Sequence, residues 1–409
     1  MLNIVIINGG RGASATIPAL LARQGLNVTS VVNAYDDGKS TGEIRRFFGM
    51  VGPSDIRKVQ ELMLPEDDVD YHSNLELFEY RFPMDCVREE VLAHLCAFAD
   101  GSKADLEGMH FTSLKVRTAL RSFIREFLVG LNGIEQVMGE RLSFPDCSLM
   151  NCIYAGAFLE FNRNIEQATM FIDKLFKLRG TVLPNSIENK KLVALRENGQ
   201  MLYSEADIVE LRSNVRIERI FLLDNLLDEV LFEALSIDEK RHYLERHHCY
   251  VSVSSGVKLA LQQADIIIYS AGTQHSSLYP TYMSVGLAQA IADNTAAYKV
   301  FITNIGADYE TPNYLASDYI LGAHRYLNLS DSRNYGMNEL FDAVLINQSQ
   351  LRPDETQVIY DVAGFADVFV KRVVDTFESA DTPGKHDGAK VVQTILDLYE
   401  TATSLGDAK

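Results

Sequence analysis

The chain has 409 residues, with 38 Lys and Arg against 56 Asp and Glu, a formal net charge of -18 and 47% hydrophobic residues. That balance excludes general nucleic-acid binding, which draws on neutralising phosphates. No apolar run approaches the roughly 18 residues of a spanning helix, so no membrane association is expected.

The start, MLNIVIINGG, has no basic leader and reads as a strand, which points to a cytoplasmic protein. Cys86, Cys96, Cys147, Cys152 and Cys249 form no C-x-x-C pair and read as buried, inert thiols of a reducing compartment. The length suits two or three domains, or one large domain with an insertion.

Residues 3–8 (NIVIIN) are β-branched. GGRG follows, then a helical pattern with Ile17, Leu20 and Leu21 on one face. Gly25 stops that helix, and 28–33 (VTSVVN) reads as the next strand, closing a βαβ-sized unit. A loop-rich stretch over 35–57 carries YDDGKSTG and VGPSDIR. From 63 to 145 the texture becomes helical. Its second helix carries an apolar stripe from Leu120 to Leu131. Arg117, Arg121 and Arg125 recur every four residues there, as a solvated face or as a site for an anionic ligand or acidic partner.

The α/β texture returns at 146 with a helix over DCSLMNCIYAGAFLEF, capped by Asp146 or Ser148. Asn198-Gly199 marks a hairpin. Residues 224–250 read as a smaller helical insertion, and RHYLERHHCY within it as an exposed helix end rather than a zinc site. Strand runs at 265–270, 299–304 and 341–347 alternate with helices. The fold class expected is α/β: a three-layer, Rossmann-like, mostly parallel sheet formed by 1–62 and 146–409, with 63–145 inserted.

In such sheets ligands bind beyond the carboxyl ends of the strands. Gly9, Gly10 and Gly12 follow the first strand, and Asp36 and Asp37 the second. Gly272, Thr273, Ser276 and Ser277 follow 265–270, and Asn304, Gly306, Glu310 and Thr311 follow 299–304. The glycines serve a tight turn or let backbone approach a phosphate at a helix start. Thr273 and the serines bind ligand or cap the helix near 278.

NAYDDGKSTG, residues 33–42, imitates a P-loop but has Asn33 where the first glycine belongs, and two carboxylates in its middle. Three readings remain for Asp36 and Asp37. They hold Mg2+ together with Asp55, they shape a turn, or they bind a dinucleotide ribose. Magnesium is taken first, because a cation lets acids and a diphosphate share one pocket.

Several stretches together resemble the CofD/YvcK-like family: NGGRG (8–12), VVNAYDDGKSTGEIR (31–45), VGPSDIR (51–57), CSLMN (147–151), RGTVLP (179–184), SAGTQHSSLYP (270–280) and NIGADYETPNY (304–314). The family comprises 2-phospho-L-lactate transferases and YvcK-type UDP-sugar-binding regulators. The resemblance implies a Rossmann-like core and a pocket for a nucleotide diphosphate-linked small molecule. In its transferase form it implies magnesium-dependent transfer of a phosphorylated group to an acceptor hydroxyl. Asp36, Asp37 and Asp55 would then be catalytic and metal-binding. Gly9, Gly10, Gly12, Arg57, Asn151, Gly272, Thr273, Ser277 and Asn304 would contact the ligand. A homodimer is implied, and the insertion is expected to meet a protein partner. Here Arg11 and Lys39 replace a threonine and a glycine and are expected to add positive charge for an anionic ligand. Ser54 replaces a glycine and Ala271 a proline. LPNSIEN (183–189) is closer to the YvcK branch, which makes a non-catalytic binder the alternative.

Overall fold

The computed structural model describes residues 1–10, 12–348 and 357–406. Arg11 lies outside the described residues, as does the side chain of Lys39, so the charge expected of them has no structural counterpart here.

Ten strands form. They are β1 (Leu2–Asn8), β2 (Leu26–Val32), β3 (Thr181–Pro184), β4 (Lys191–Arg196), β5 (Met201–Leu202), β6 (Ile217–Leu223), β7 (Ile266–Tyr269), β8 (Tyr298–Ile302), β9 (Ala343–Asn347) and β10 (Lys371–Asp375). Seven of them make one sheet in the order β10-β9-β8-β7-β1-β2-β3, and every pairing in it is parallel. Parallel strands need crossovers, so helices cover both faces and the central strands become wholly apolar. Ile4, Ile6 and Ile7 of β1 and all four residues of β7 are accordingly buried. This is the expected three-layer α/β fold.

Connections run outward from β1 through β2 to β3, and outward the other way from β7 to β10. Between β1 and β7 the winding reverses. A crevice opens at such a switch point because neighbouring crossovers leave in opposite directions.

The helices that frame the crevice are α1 (Thr16–Leu21), α2 (Lys39–Phe48) and α3 (Ser54–Leu62). The stretch 63–145 supplies α4 (Tyr71–Glu79), α5 (Arg88–Asp100) and α6 (Leu114–Met138). Leu120, Phe123, Ile124, Phe127 and Leu131 of α6 are buried in the same apolar core as the sheet, against α7 (Leu149–Glu160). The arginine row of α6 faces solvent in part, with Arg125 exposed and Arg117 and Arg121 half-buried, and each guanidinium also holds a backbone carbonyl. Arg117, Arg121 and Arg125 donate to the carbonyls of Phe111, Lys103 and Ala99, at 3.3, 3.2 and 2.8 Å, and tie preceding loops to the helix.

Helix α7 starts with Ser148 at its N-cap position, but no side chain caps it. Asp146 pairs instead with Arg81 at 2.6 Å. Beyond α8 (Ile165–Leu175), the Asn198-Gly199 turn joins β4 to β5 with Gly199 at φ 84°, as expected of a hairpin. A small antiparallel sheet, β5-β4-β6, carries α9 (Glu205–Glu210). Phe232 of α10 (Glu229–Glu233) and Leu244 of α11 (Ile237–His247) join Val193, Leu195 and Phe221 in a second apolar cluster. His248, expected at an exposed helix end, is buried and accepts from the Leu222 amide at 3.1 Å. Burial pushes it down to about 4, so it stays neutral. Of the five cysteines only Cys147 and Cys152 are buried, while Cys96 is exposed.

Candidate functional site

A cavity of about 720 Å³ lies at the switch point, over the ends of β1, β2, β7 and β8. Gly9, Gly10 and Gly12 form one wall, and Gly272, Thr273, Ser276 and Ser277 the next. Asn304 and Asp308 close a third side, and Gly38, Ser40, Thr41, Ser54 and Asp55 a fourth.

Each wall is held by bonds between loops. Asn304 accepts from the Gly272 amide and donates to the Gly272 carbonyl, both at 3.0 Å. Thr273 donates to Ser277 at 3.0 Å. Residues 274–278 form a single π turn, whose first amides, of His275 and Ser276, donate to the buried Glu310 carboxylate at 2.8 and 2.9 Å. Asn33 breaks the P-loop pattern for a visible reason: its side chain donates to the Ser276 carbonyl at 3.0 Å and joins two rim loops. A Cβ on Gly10 would press on Asp55 Oδ1 and lie 2.8 Å from Lys58 Cδ. Close approach of protein atoms therefore already requires a glycine there.

Helices α2 and α3 begin at the cavity, and no side chain caps either start. Uncapped helix N-termini present unsatisfied amides and a positive dipole end, which suits an anion.

The acidic loop departs from expectation. Asp36 accepts from the Gly38 amide at 3.0 Å and from Lys58 Nζ at 3.3 Å, while Asp55 accepts from the same Nζ at 3.0 Å. Asp37 does not join them. Neighbouring side chains on a non-helical chain project to opposite sides, and Asp37 meets Arg45 Nη1 at 3.2 Å. Arg45 is fully buried and also donates to the Tyr35 carbonyl at 3.0 Å and to the Lys190 carbonyl at 2.6 Å. It clamps the loop from beneath. Among the described residues no group of three or more His, Cys, Asp or Glu is placed to hold a metal ion. The expected magnesium trio therefore does not form, and the remaining pair already shares an ammonium.

Asn151 also falls outside the cavity. It is buried behind α2 and donates to Ser40 and Thr41 hydroxyls at 3.4 Å. Arg57 lines the cavity, with its guanidinium on the Phe78 carbonyl and 3.7 Å from Glu61.

Sequence reading missed Lys58, Arg81, Glu205, Glu210 and Asp308. Lys58 had a signal, since a residue three after Asp55 on a helix shares its face. Arg81 arrives from the 63–145 stretch and Glu205 from the small sheet, and no local pattern announces either. Glu205 is buried, and its Oε2 accepts from the Asp37 amide at 3.2 Å. Burial, with Asp36 nearby, pushes its carboxyl up to about 9.

That shift has a consequence for stability. Between the ordinary value of 4.5 and about 9, native Glu205 keeps a proton that the unfolded chain has lost. Stability from this group is complete below the lower value and lost as pH rises through the upper one. Melting curves from pH 5 to 9 are expected to fall more steeply for the native protein than for Glu205→Gln. Parallel curves would remove the buried, protonated carboxyl.

Comparison with known proteins identifies the fold's family. The family model for the 2-phospho-L-lactate transferase CofD matches residues 4–376. The chain belongs to the CofD family. A gluconeogenesis factor from Listeria monocytogenes is 23% identical over 404 residues, covering 98% of this chain and 97% of its own. A putative gluconeogenesis factor from Thermoanaerobacterium thermosulfurigenes is 25% identical over 411 residues, covering 97% of each. The solved structure of protein BH3568 from Bacillus halodurans, described as a member of the UPF0052 family, superposes with a TM-score of 0.65 at 20% identity, over 97% of this chain and 99% of that one. For this CofD-family chain no described helix is long and apolar enough to cross a membrane.

Proposed function

We propose that this protein binds a nucleoside diphosphate-linked small molecule in the switch-point cavity and acts as a binding protein of the gluconeogenesis-factor kind. One observation carries the reading. Two uncapped helix starts and two small-residue loops converge on one cavity of about 720 Å³, the size of a nucleotide-scale ligand site. The helix starts suit the pyrophosphate, and the Gly272–Ser277 loop offers hydroxyls beside it. The names of the relatives support a regulatory role.

Calorimetry with a UDP-sugar, followed by mass spectrometry of the mixture, tests this. Binding with no product, with or without magnesium, is the expected result. Heat-silent titration with several nucleoside diphosphates would remove the reading.

A transferase is the second reading, favoured by Glu205. A carboxyl that keeps its proton to about pH 9 inside the cavity is suited to acid–base work. As the oxygen of an acceptor hydroxyl bonds to phosphorus, the bond from that phosphorus to the bridging oxygen would break. Glu205 would give its proton to the bridging oxygen of the leaving nucleotide, and the hydroxyl's proton would pass to water. Turnover lost in Glu205→Gln with binding kept would establish that role.

A further inference from the structure

We propose that the Lys58 ammonium takes the place of a divalent cation between Asp36 and Asp55. The pair is thereby committed to a built-in charge, and the cavity receives its pyrophosphate ligand without metal. The second half rests on the nucleotide reading above; the first half stands on geometry alone.

Lys58 Nζ lies 3.3 Å from Asp36 Oδ2 and 3.0 Å from Asp55 Oδ1. The two carboxylates come from different segments, the loop after β2 and the first turn of α3, and the ammonium is what joins them. Their side chains are only 12% and 6% exposed, so two unpaired anions there would carry a large desolvation cost. The first turn of α3 fixes the arrangement, because Lys58 sits three residues after Asp55 on the same helix face.

The pair makes further contacts with the protein. Asp36 Oδ1 holds the Gly38 amide, and the Gly10 loop packs directly on Asp55 Oδ1. Asp37, the third expected ligand, is held by Arg45. A hard divalent ion wants six or more oxygens. It would have to evict an ammonium into a cavity it already fills with positive charge. Lys58 keeps 28% of its side chain exposed on the cavity wall, within reach of a bound phosphate. It carries one charge where a divalent ion carries two. The two helix starts supply the rest of the compensation.

Manganese alone, followed by electron paramagnetic resonance, tests the first half. The native protein is expected to hold no site tighter than about 1 mM, whereas Lys58→Met gains one at least ~10-fold tighter. Adding Asp55→Asn to Lys58→Met should erase it. Tight manganese binding by the native protein, lost in Asp55→Asn, overturns the proposal, as does a folded Lys58→Met that binds none. Lys58→Gln, with a melting curve, serves if the methionine variant does not fold. UDP calorimetry then compares EDTA with magnesium. Equal affinity supports the second half, and binding only with magnesium overturns it. No binding in either buffer removes the nucleotide reading, and the manganese result still judges Lys58.

Discussion

Gly12→Ala is expected to weaken UDP-sugar binding about 10- to 100-fold. A Cβ at this position would drive into the Ala271 carbonyl and stand 2.9 Å from Gly272 Cα. Both obstacles are backbone, so no side chain can swing away. The loop after β1 must separate from the loop after β7, and these are two walls of the cavity. Overpacking of this kind costs about 1–3 kcal/mol. The ligand-free protein relieves it by opening the crevice, and the ligand must pay it back on binding. An unchanged affinity by calorimetry would show that the loops do not approach as described, or that the ligand binds elsewhere.

Gly156→Ala is expected to destabilise the molecule by about 3 kcal/mol or more. The added carbon would overlap the Phe123 carbonyl oxygen of α6 and lie 2.6 Å from its carbon. Neither helix can yield locally, because the obstacle is hydrogen-bonded helical backbone. Separating α6 from α7 would loosen Phe123 and Phe127, both buried at that contact. Urea and thermal unfolding report the loss. A melting curve like the native one would mean that α6 is not seated on α7, and that the 63–145 helices are attached only loosely.

The two substitutions probe different features of one chain. Gly12 tests how the rim loops are held at the crevice. Gly156 tests how the helical stretch joins the core that supports them, and Arg81 shows that this stretch reaches the cavity too.

Much of this was legible in order along the chain. Short β-branched runs ending in small or polar residues marked β1, β2, β7 and β8, and in a parallel sheet such ends must share one rim. That rule alone brought Gly10, Asp36, Gly272 and Asn304 together before any distance was known. Asn198-Gly199 fixed its hairpin because only certain residues tolerate the left-handed turn. β10 went unread: its alternation in KRVVD is brief, and its side chains are half-buried or exposed.

Tertiary structure decided the chemistry of the site. Sequence adjacency suggested that Asp36 and Asp37 act as a pair, yet adjacent side chains part company on an extended loop, and Arg45 takes one of them. Glu205 reaches Asp37 across 168 positions, and Asn33 reaches Ser276 across 243. Periodicity reports which face of an element is apolar, so it gives strands, helices and the rim. Which charge neutralises which carboxylate depends on the packing of distant segments, and no local pattern encodes that.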